Sequence, residues 1–173
     1  EVSEQPVMAE RRRQWTALND LHSEKPLVLV SPEGSWREIN TRLPLECENE
    51  TARGFEQSLR QKIYQYEHIC DDWLIDADFD VPPVITNSGF GVELKRHNSD
   101  METGAFKYIP PITDLDRDMD KLRFREISVD KAVSDARFEL ALDAFGDILN
   151  VTRNATGYFW TVGLTGVGIS LIG

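Results

Sequence analysis

Apolar and polar positions along the chain follow a pattern that predicts helices separated by short strands. Apolar residues at helical spacing predict helices over residues 7–21, 49–68 and 129–145. A continuous apolar run at residues 27–30, bounded by prolines, predicts a strand that is buried on both faces. Because buried strands that alternate with helices are typical of βαβ units, the pattern predicts an α/β fold with a parallel sheet.

Shorter elements complete the predicted order. They are a helical turn at residues 36–39, a hairpin within residues 90–108, a helix that starts at Thr113 or Asp114, a strand at residues 147–152 and a helix within residues 157–173. Gly146 is expected to end the helix that precedes it, because glycine readily adopts the left-handed conformation found just beyond helix ends.

Three acids at alternating positions, Asp76, Asp78 and Asp80, follow a strand-like apolar core at residues 73–75. Side chains alternate across a strand, so the three carboxylates are expected to point the same way. Like charges are costly to bury together. The run is therefore either a solvated strand end or a site at the carboxyl end of a strand, where α/β folds hold their chemistry.

Other polar and aromatic residues follow predicted strand ends. Glu33 and Trp36 either line a substrate pocket or form an ordinary capping turn. Asn87 either reaches the same pocket or forms the turn before Gly89. Tyr158 and Trp160 either wall a pocket or belong to the core, since aromatic clusters are common in both settings.

Composition and charge narrow the class of protein. The 173 residues suffice for one domain, and the net charge of -11, from 30 acids and 19 bases, disfavours nucleic acid as a general partner. Two cysteines are too few for a disulfide framework. No signal peptide is visible, and no apolar run reaches the roughly 18 residues of a membrane span. The sequence predicts a cytoplasmic domain with neither nucleic acid nor a membrane as partner.

Three runs resemble the uroporphyrinogen decarboxylase superfamily. They are IDADFDVPPVITNSGFGVELK at residues 75–95, IPPITDLDRDMDKLRF at residues 109–124 and GYFWTVGLTGVGISLIG at residues 157–173. That superfamily contains the decarboxylase and the methyltransferases that move methyl groups to or from corrinoid proteins, and its fold is a (β/α)8 barrel. The resemblance implies the N-terminal part of a TIM-type barrel with a projecting β-hairpin.

The resemblance also implies a boundary. It covers residues 1–173 as a single domain, with a leading helix at residues 1–25 and barrel strands and helices at residues 26–173. A (β/α)8 barrel typically needs about 250 residues. The chain is therefore expected to be the N-terminal portion of a larger barrel, or a half-barrel that another chain completes, as in a homodimer. By itself it is expected to be inactive.

Asp78 occupies the position at which the family places an aspartate, at the end of its second barrel strand. In the decarboxylase that aspartate orients the pyrrole nitrogens of the substrate, so the resemblance implies a catalytic role for Asp78. The other residues that we expect to bind a small-molecule substrate, from their positions at predicted strand ends, are Glu33, Trp36, Asp76, Asp80, Asn87, Tyr158 and Trp160.

The loop after the first predicted strand departs from the decarboxylase pattern. The decarboxylase carries arginines there that bind substrate carboxylates, whereas this loop reads SPEGSWRE, with Arg37 as its one base. The departure favours the methyltransferase-like branch. The expected function is therefore methyl transfer between a corrinoid protein and a small donor or acceptor. The alternatives are true uroporphyrinogen decarboxylase activity and a non-catalytic half-barrel that pairs with another chain.

The methyltransferase branch binds zinc through a His-x-Cys pair and a later cysteine. His68-Ile69-Cys70 matches the letters of that pair but lies at the end of the helix before the second predicted strand. A helix-end histidine and a buried small thiol are the favoured interpretation, because two ligands make a weak zinc signal. No metal ligand is assigned within the chain, and zinc is expected only in a longer protein that carries the rest of the barrel.

Overall fold

The computed structural model describes residues 1–100, 104–154 and 163–172. The α-helices are α1 Pro6–Asn19, α2 Trp36–Asn40, α3 Glu50–His68, α4 Leu115–Asp118, α5 Lys131–Phe145 and α6 Gly163–Ile172. The strands are β1 Asp78–Asp80, β2 Val84–Asn87, β3 Lys95–Asn98, β4 Phe106–Ile109, β5 Ile127–Asp130 and β6 Asn150–Thr152. Short 3-10 turns lie at Glu33–Ser35 and Met119–Lys121.

Six strands form three separate two-stranded sheets in the described residues. Strand β1 pairs with β6 in parallel, whereas β2 with β5 and β3 with β4 are antiparallel pairs. The predicted mixture of helices and strands is confirmed, and these sheets are not closed into a barrel. Long helices α3 and α5, the hairpin β3–β4 and a short strand at the end of the predicted 147–152 segment agree with the sequence pattern.

The chain divides into two compact units. The first consists of residues 1–81 and 136–152, and the second of the described residues within 82–135 and 153–173. The division falls inside α5, so that helix contributes its first residues to the second unit and the remainder to the first.

Phe79 lies at the centre of the hydrophobic core of the first unit. Its ring packs at 5.3 Å from the ring of Phe55 in α3 and at 5.1 Å from the ring of Phe145 in α5. Val81 and Ala141 complete the buried cluster. Helices α3 and α5 therefore cover one face of the β1–β6 pair, and that cover fixes the opposite face as the exposed one.

Helix α3 begins where its sequence predicts. The side chain of Asn49 accepts a hydrogen bond from the backbone N–H of Ala52, which satisfies one of the free donors at the helix start. Glu56, one turn further on, accepts from the backbone N–H groups of Glu46 and Cys47. The helix is thus tied at its N-terminal end to the chain that precedes it.

The second unit contains two antiparallel pairs and two helices. The hydroxyl of Ser134 accepts from the N–H of Val84 and so fixes the start of β2. The N–H of Ile112 donates to the carbonyl of Leu171 in α6. Asp118 is fully buried, and its carboxylate accepts a hydrogen bond from the backbone N–H of Thr113. This carboxylate therefore holds the segment before α4 against the helix.

The prediction of a buried strand at residues 27–30 is wrong. These residues form no strand, and the side chains of Val28, Leu29 and Val30 are all exposed. The N–H groups of Val28 and Val30 donate to the carboxylates of Asp72 and Asp71 rather than to a neighbouring strand. Two side-chain carboxylates and a backbone bond from the N–H of Asp72 to the carbonyl of Val28 join the segments without forming a strand ladder, and the apolar side chains stay exposed.

The predicted second strand is shorter than expected. Residues 73–77 do not belong to it, and strand β1 spans only residues 78–80. Helix α6 confirms the helical part of the terminal prediction, whereas the loop expected before it lies outside the described residues. In the described residues no helix is both long enough and apolar enough to cross a membrane.

Candidate functional site

The exposed face of the β1–β6 pair carries two carboxylates. Phe79 is buried while Asp78 and Asp80 on either side of it are exposed, as the alternation of a strand predicts. The parallel register sets Asp78 beside Asn150 and Asp80 beside Thr152. Both carboxylates therefore lie on the face opposite the buried Phe79, and Asp78 also borders a cavity that residues of α3 line.

Neutral donors on β6 orient both carboxylates. The amide nitrogen of Asn150 donates to Oδ1 of Asp78 at 2.8 Å, and the hydroxyl of Thr152 donates to Asp80. A carboxylate has two oxygens and about four lone-pair sites. One hydrogen bond therefore orients each group and leaves it capacity to accept from a ligand.

Asp76 lies just before β1 and is half-buried. Its Oδ1 accepts from the N–H of Asp78 at 3.3 Å. Asp76 and Asp78 share a cavity of about 150 Å³ with apolar residues, with Lys62, and with Glu1 and Ser3 from the start of the chain. The apolar side chains that line it include Leu59, Ile63, Ile75 and Leu149.

Trp36 lines a second cavity in the same unit, of about 180 Å³. Its other walls include Trp73 from the segment before β1 and residues of α3. Lys62 of α3 lines both cavities, and its ammonium donates to the backbone carbonyl of Asp78 at 3.2 Å. The structure thus brings Asp76, Asp78 and Trp36 into neighbouring cavities that meet at Lys62.

Glu33 and Asn87 adopt turn conformations. Glu33 is exposed at φ 45° in a 3-10 turn, a conformation that few residues other than glycine adopt, and it lines neither of the two cavities. The side-chain oxygen of Asn87, in the second unit, accepts from the N–H of Gly89 at 3.0 Å. For these two residues the geometry matches the turn alternative. Tyr158 and Trp160 lie outside the described residues.

His68 and Cys70 lie at the end of α3 and just beyond it. The ring of His68 lies 4.5 Å from that of Tyr64, and its Nε2 is 3.8 Å from a carboxylate oxygen of Glu67. Cys70 is exposed, so the prediction of a buried thiol is wrong, because this residue lies beyond the end of α3 at His68. Within residues 1–100, 104–154 and 163–172, no three His, Cys, Asp or Glu side chains are grouped to hold a metal ion.

Two carboxyl groups with strongly lowered pKa values, Glu56 and Asp118, hold segments of the chain together. Backbone N–H groups of Cys47 and Glu46, together with Arg60, lower the pKa of Glu56 from 4.5 to about 2. Hydrogen bonds from Arg117 and Lys121 hold the pKa of the buried Asp118 far below its usual range. Perturbed groups often mark functional sites, but these two tie neighbouring segments together.

Sequence reasoning missed Lys62 and Trp73. Lys62 belongs to a polar stripe of α3 at positions i, i+3, i+4 and i+7, formed by Ser58, Gln61, Lys62 and Gln65. Such a stripe is usually a solvated face, so the sequence pattern did not predict a binding role for it. A helix that is apolar on one side and amide-rich on another was the signal that could have found it.

Comparison of the chain with protein-family models, with curated proteins and with solved structures finds no match. The family resemblance therefore rests on the three sequence runs alone. The geometry of the β1–β6 face and of the two cavities at Lys62 is the independent observation from which a function can be argued.

Proposed function

We propose that this chain carries the substrate-orienting acidic face of a uroporphyrinogen-decarboxylase-like enzyme of the methyltransferase branch. The enzyme moves a methyl group between a corrinoid protein and a small donor or acceptor. The observation that supports it is the pair Asp78 and Asp80, which projects from a parallel strand pair opposite its helical cover. Enzymes with α/β barrels place their chemistry at the carboxyl ends of such strands.

Asp78 is the residue that orients the bound group. Asn150 holds one of its carboxylate oxygens, and the free acceptor capacity receives an N–H or O–H of the substrate. A hydrogen bond to a charged group contributes about 1.5–3 kcal/mol, enough to select one orientation of a small ligand. Asp80 carries the second charge of the same face, and Asp76, just before β1, lines the cavity that Asp78 also borders.

The layering of the first unit supports a barrel segment. In a (β/α)8 barrel, helices cover the outside of the strands while the inner face carries side chains toward the axis. Phe79 and Val151 meet helices α3 and α5, and the acids with their partners occupy the other face. The N-terminal part of a TIM-type barrel is the arrangement we propose for these strands.

Methyl transfer tests the proposal. The complete natural polypeptide that contains this chain is incubated with methylcobalamin or a methylated corrinoid protein, and with thiol or folate acceptors. Loss of the methyl–cobalt absorbance together with a methylated acceptor in the mass spectrum is the expected result. No transfer to any acceptor would count against the proposal, and coproporphyrinogen formed from uroporphyrinogen would establish the decarboxylase instead.

A non-catalytic pairing module is the second candidate, because the β2–β5 ribbon has an uncovered apolar face. Ile85, Ile127 and Val129 lie on that face and are each more than half exposed. Uncovered apolar faces of this kind mark association sites. A monomer at every concentration in sedimentation velocity would remove this candidate.

A further inference from the structure

The charged side chain that lines the cavity between Trp36 and Trp73 is positive, whereas the net charge of the chain is negative. The lining of this cavity in the described structure is two indoles, a proline, serines, amides and the single charged side chain Lys62. The chain as a whole carries a net charge of -11. A cavity whose one charged wall is a cation, in a strongly acidic protein, selects for an anionic ligand.

The backbone of Trp73 and the ring of Trp36 are held in place before any ligand arrives. The guanidinium of Arg11 donates to the carbonyl of Trp73 at 2.7 Å, while the N–H of Trp73 donates to Asp71 at 3.2 Å. The ring of Trp36 packs against Tyr64, edge to face, with centroids 6.0 Å apart. Walls that are already ordered cost a ligand little conformational entropy.

The amides of the cavity are also committed to fixed partners. The side-chain nitrogen of Gln65 donates to Val30 at 2.9 Å and to Asp71 at 2.6 Å. That of Gln61 donates to Asn40 at 3.0 Å. These bonds fix the floor that α3 presents and leave Lys62 as the adaptable polar group.

Lys62 has donor capacity to spare. An ammonium carries three N–H donors, and one of them is used on the carbonyl of Asp78. In the described part of the chain, no carboxylate lies within ion-pair distance of the Lys62 nitrogen. Neither indole N–H of the cavity donates to another described residue, so a bound anion can draw on several donors.

We propose that this cavity binds a small planar carboxylate, whose ring contacts Trp36 and Trp73 and whose carboxylate meets Lys62. A volume of about 180 Å³ corresponds to roughly six waters at about 30 Å³ each, which suits a single ring with one acidic group. An organic cation would also stack on indoles, but it would face the ammonium of Lys62. Charge therefore decides between the two classes of ligand.

This site goes beyond the proposed methyl transfer and does not depend on it. Binding is measured directly, in the absence of any corrinoid or methyl acceptor. A failure of methyl transfer thus leaves the binding result intact, and a failure to bind leaves the assignment of Asp78 intact.

Benzoate is the probe, and its binding is followed by calorimetry and by quenching of tryptophan fluorescence. The structure predicts saturable binding of benzoate that is at least tenfold tighter than that of benzamide, because the charged bond to Lys62 is lost with the amide. Lys62→Gln is expected to weaken benzoate binding about tenfold or more, while Lys62→Arg retains most of it. Lys107→Gln, a matched change of an exposed lysine in β4, is the control and should leave binding unchanged.

Three results would overturn the proposal. They are equal binding of benzoate and benzamide by the unmodified chain, undiminished benzoate binding by a folded Lys62→Gln variant, and benzyltrimethylammonium binding as tightly as benzoate. The first and third comparisons use the unmodified chain, so they decide the matter even if a variant fails to fold. Trp36→Leu and Trp73→Leu should each weaken benzoate binding, and circular dichroism is used to check that each variant is folded.

Discussion

The parallel ladder β1–β6 and the antiparallel ladder β3–β4 are of similar size, but they differ in how far other elements cover them. The middle residue of β1, Phe79, is 4% exposed because two helices pack on it, whereas all four residues of β3 are exposed. An isolated pair of strands is marginally stable in water. The comparison shows that the helical cover, rather than the ladder itself, stabilises β1–β6 and leaves its other face available for charge.

The free faces of the two ladders also differ in charge. Strand β1 presents Asp78 and Asp80 with neutral donors beside them, whereas the eight strand residues of the hairpin contain three lysines or arginines and no acid. Arg96 stacks over the ring of Phe106 at 4.8 Å. A cation–aromatic contact therefore joins the two strands of the hairpin, whereas packed aromatic rings stabilise β1–β6. Each ladder can therefore be weakened by a different change.

Removing the covered ring should have the largest effect. Phe79→Ala empties the space between Phe55 and Phe145, and we expect it to lower the free energy of unfolding by about 3–5 kcal/mol. Urea unfolding followed by circular dichroism measures the loss. Phe106→Ala in the exposed hairpin is the matched control and should cost about 1 kcal/mol or less. Equal losses would show that helical cover does not distinguish the ladders.

Acid should weaken the helix that covers β1. The folded-state pKa of Glu56 is about 2 against an ordinary 4.5, so its stabilising effect is present above pH 4.5 and is lost as the pH falls toward 2. We expect Glu56→Gln to be less stable than the unmodified chain at neutral pH and the difference to shrink through that window. Glu139→Gln, an exposed position of α5, should show no such convergence. A Glu56→Gln difference that stays constant from pH 7 to pH 2 would contradict the anchoring role.

The hairpin should respond least. Arg96→Ala removes the cation over Phe106 and Tyr108 and should cost about 0.5–1 kcal/mol, because Phe106 is about half exposed and the contact lies near the surface. Thermal unfolding with Lys107→Ala as control detects it. A loss as large as that of Phe79→Ala would mean that the hairpin has a packed partner.

Local signals made part of this structure predictable. The helices α3 and α5 follow from apolar spacing, and α3 from its Asn49 cap as well, since these signals act within a few residues. The alternation of Asp78, Phe79 and Asp80 likewise follows from strand geometry alone. These are the features for which the nearest neighbours in sequence determine the conformation.

The remainder depends on contacts between distant segments. The run at residues 27–30 is apolar enough for a buried strand, but whether it pairs depends on what lies beside it, and there the carboxylates of Asp71 and Asp72 accept its N–H groups. The meeting of Trp36, Lys62 and Trp73 in one cavity is equally non-local. No period or spacing in the sequence encodes such a meeting.

The most direct test of the acidic face is Asp78→Asn in the methyl-transfer assay, with the free energy of unfolding measured on the same sample. Asparagine retains the oxygen that accepts from Asn150, so stability should change by no more than about 0.5 kcal/mol. The account predicts that kcat/KM falls by about 100-fold or more, because the carboxylate that orients the bound group is replaced by a neutral amide. An unchanged kcat/KM in the Asp78→Asn variant would contradict it.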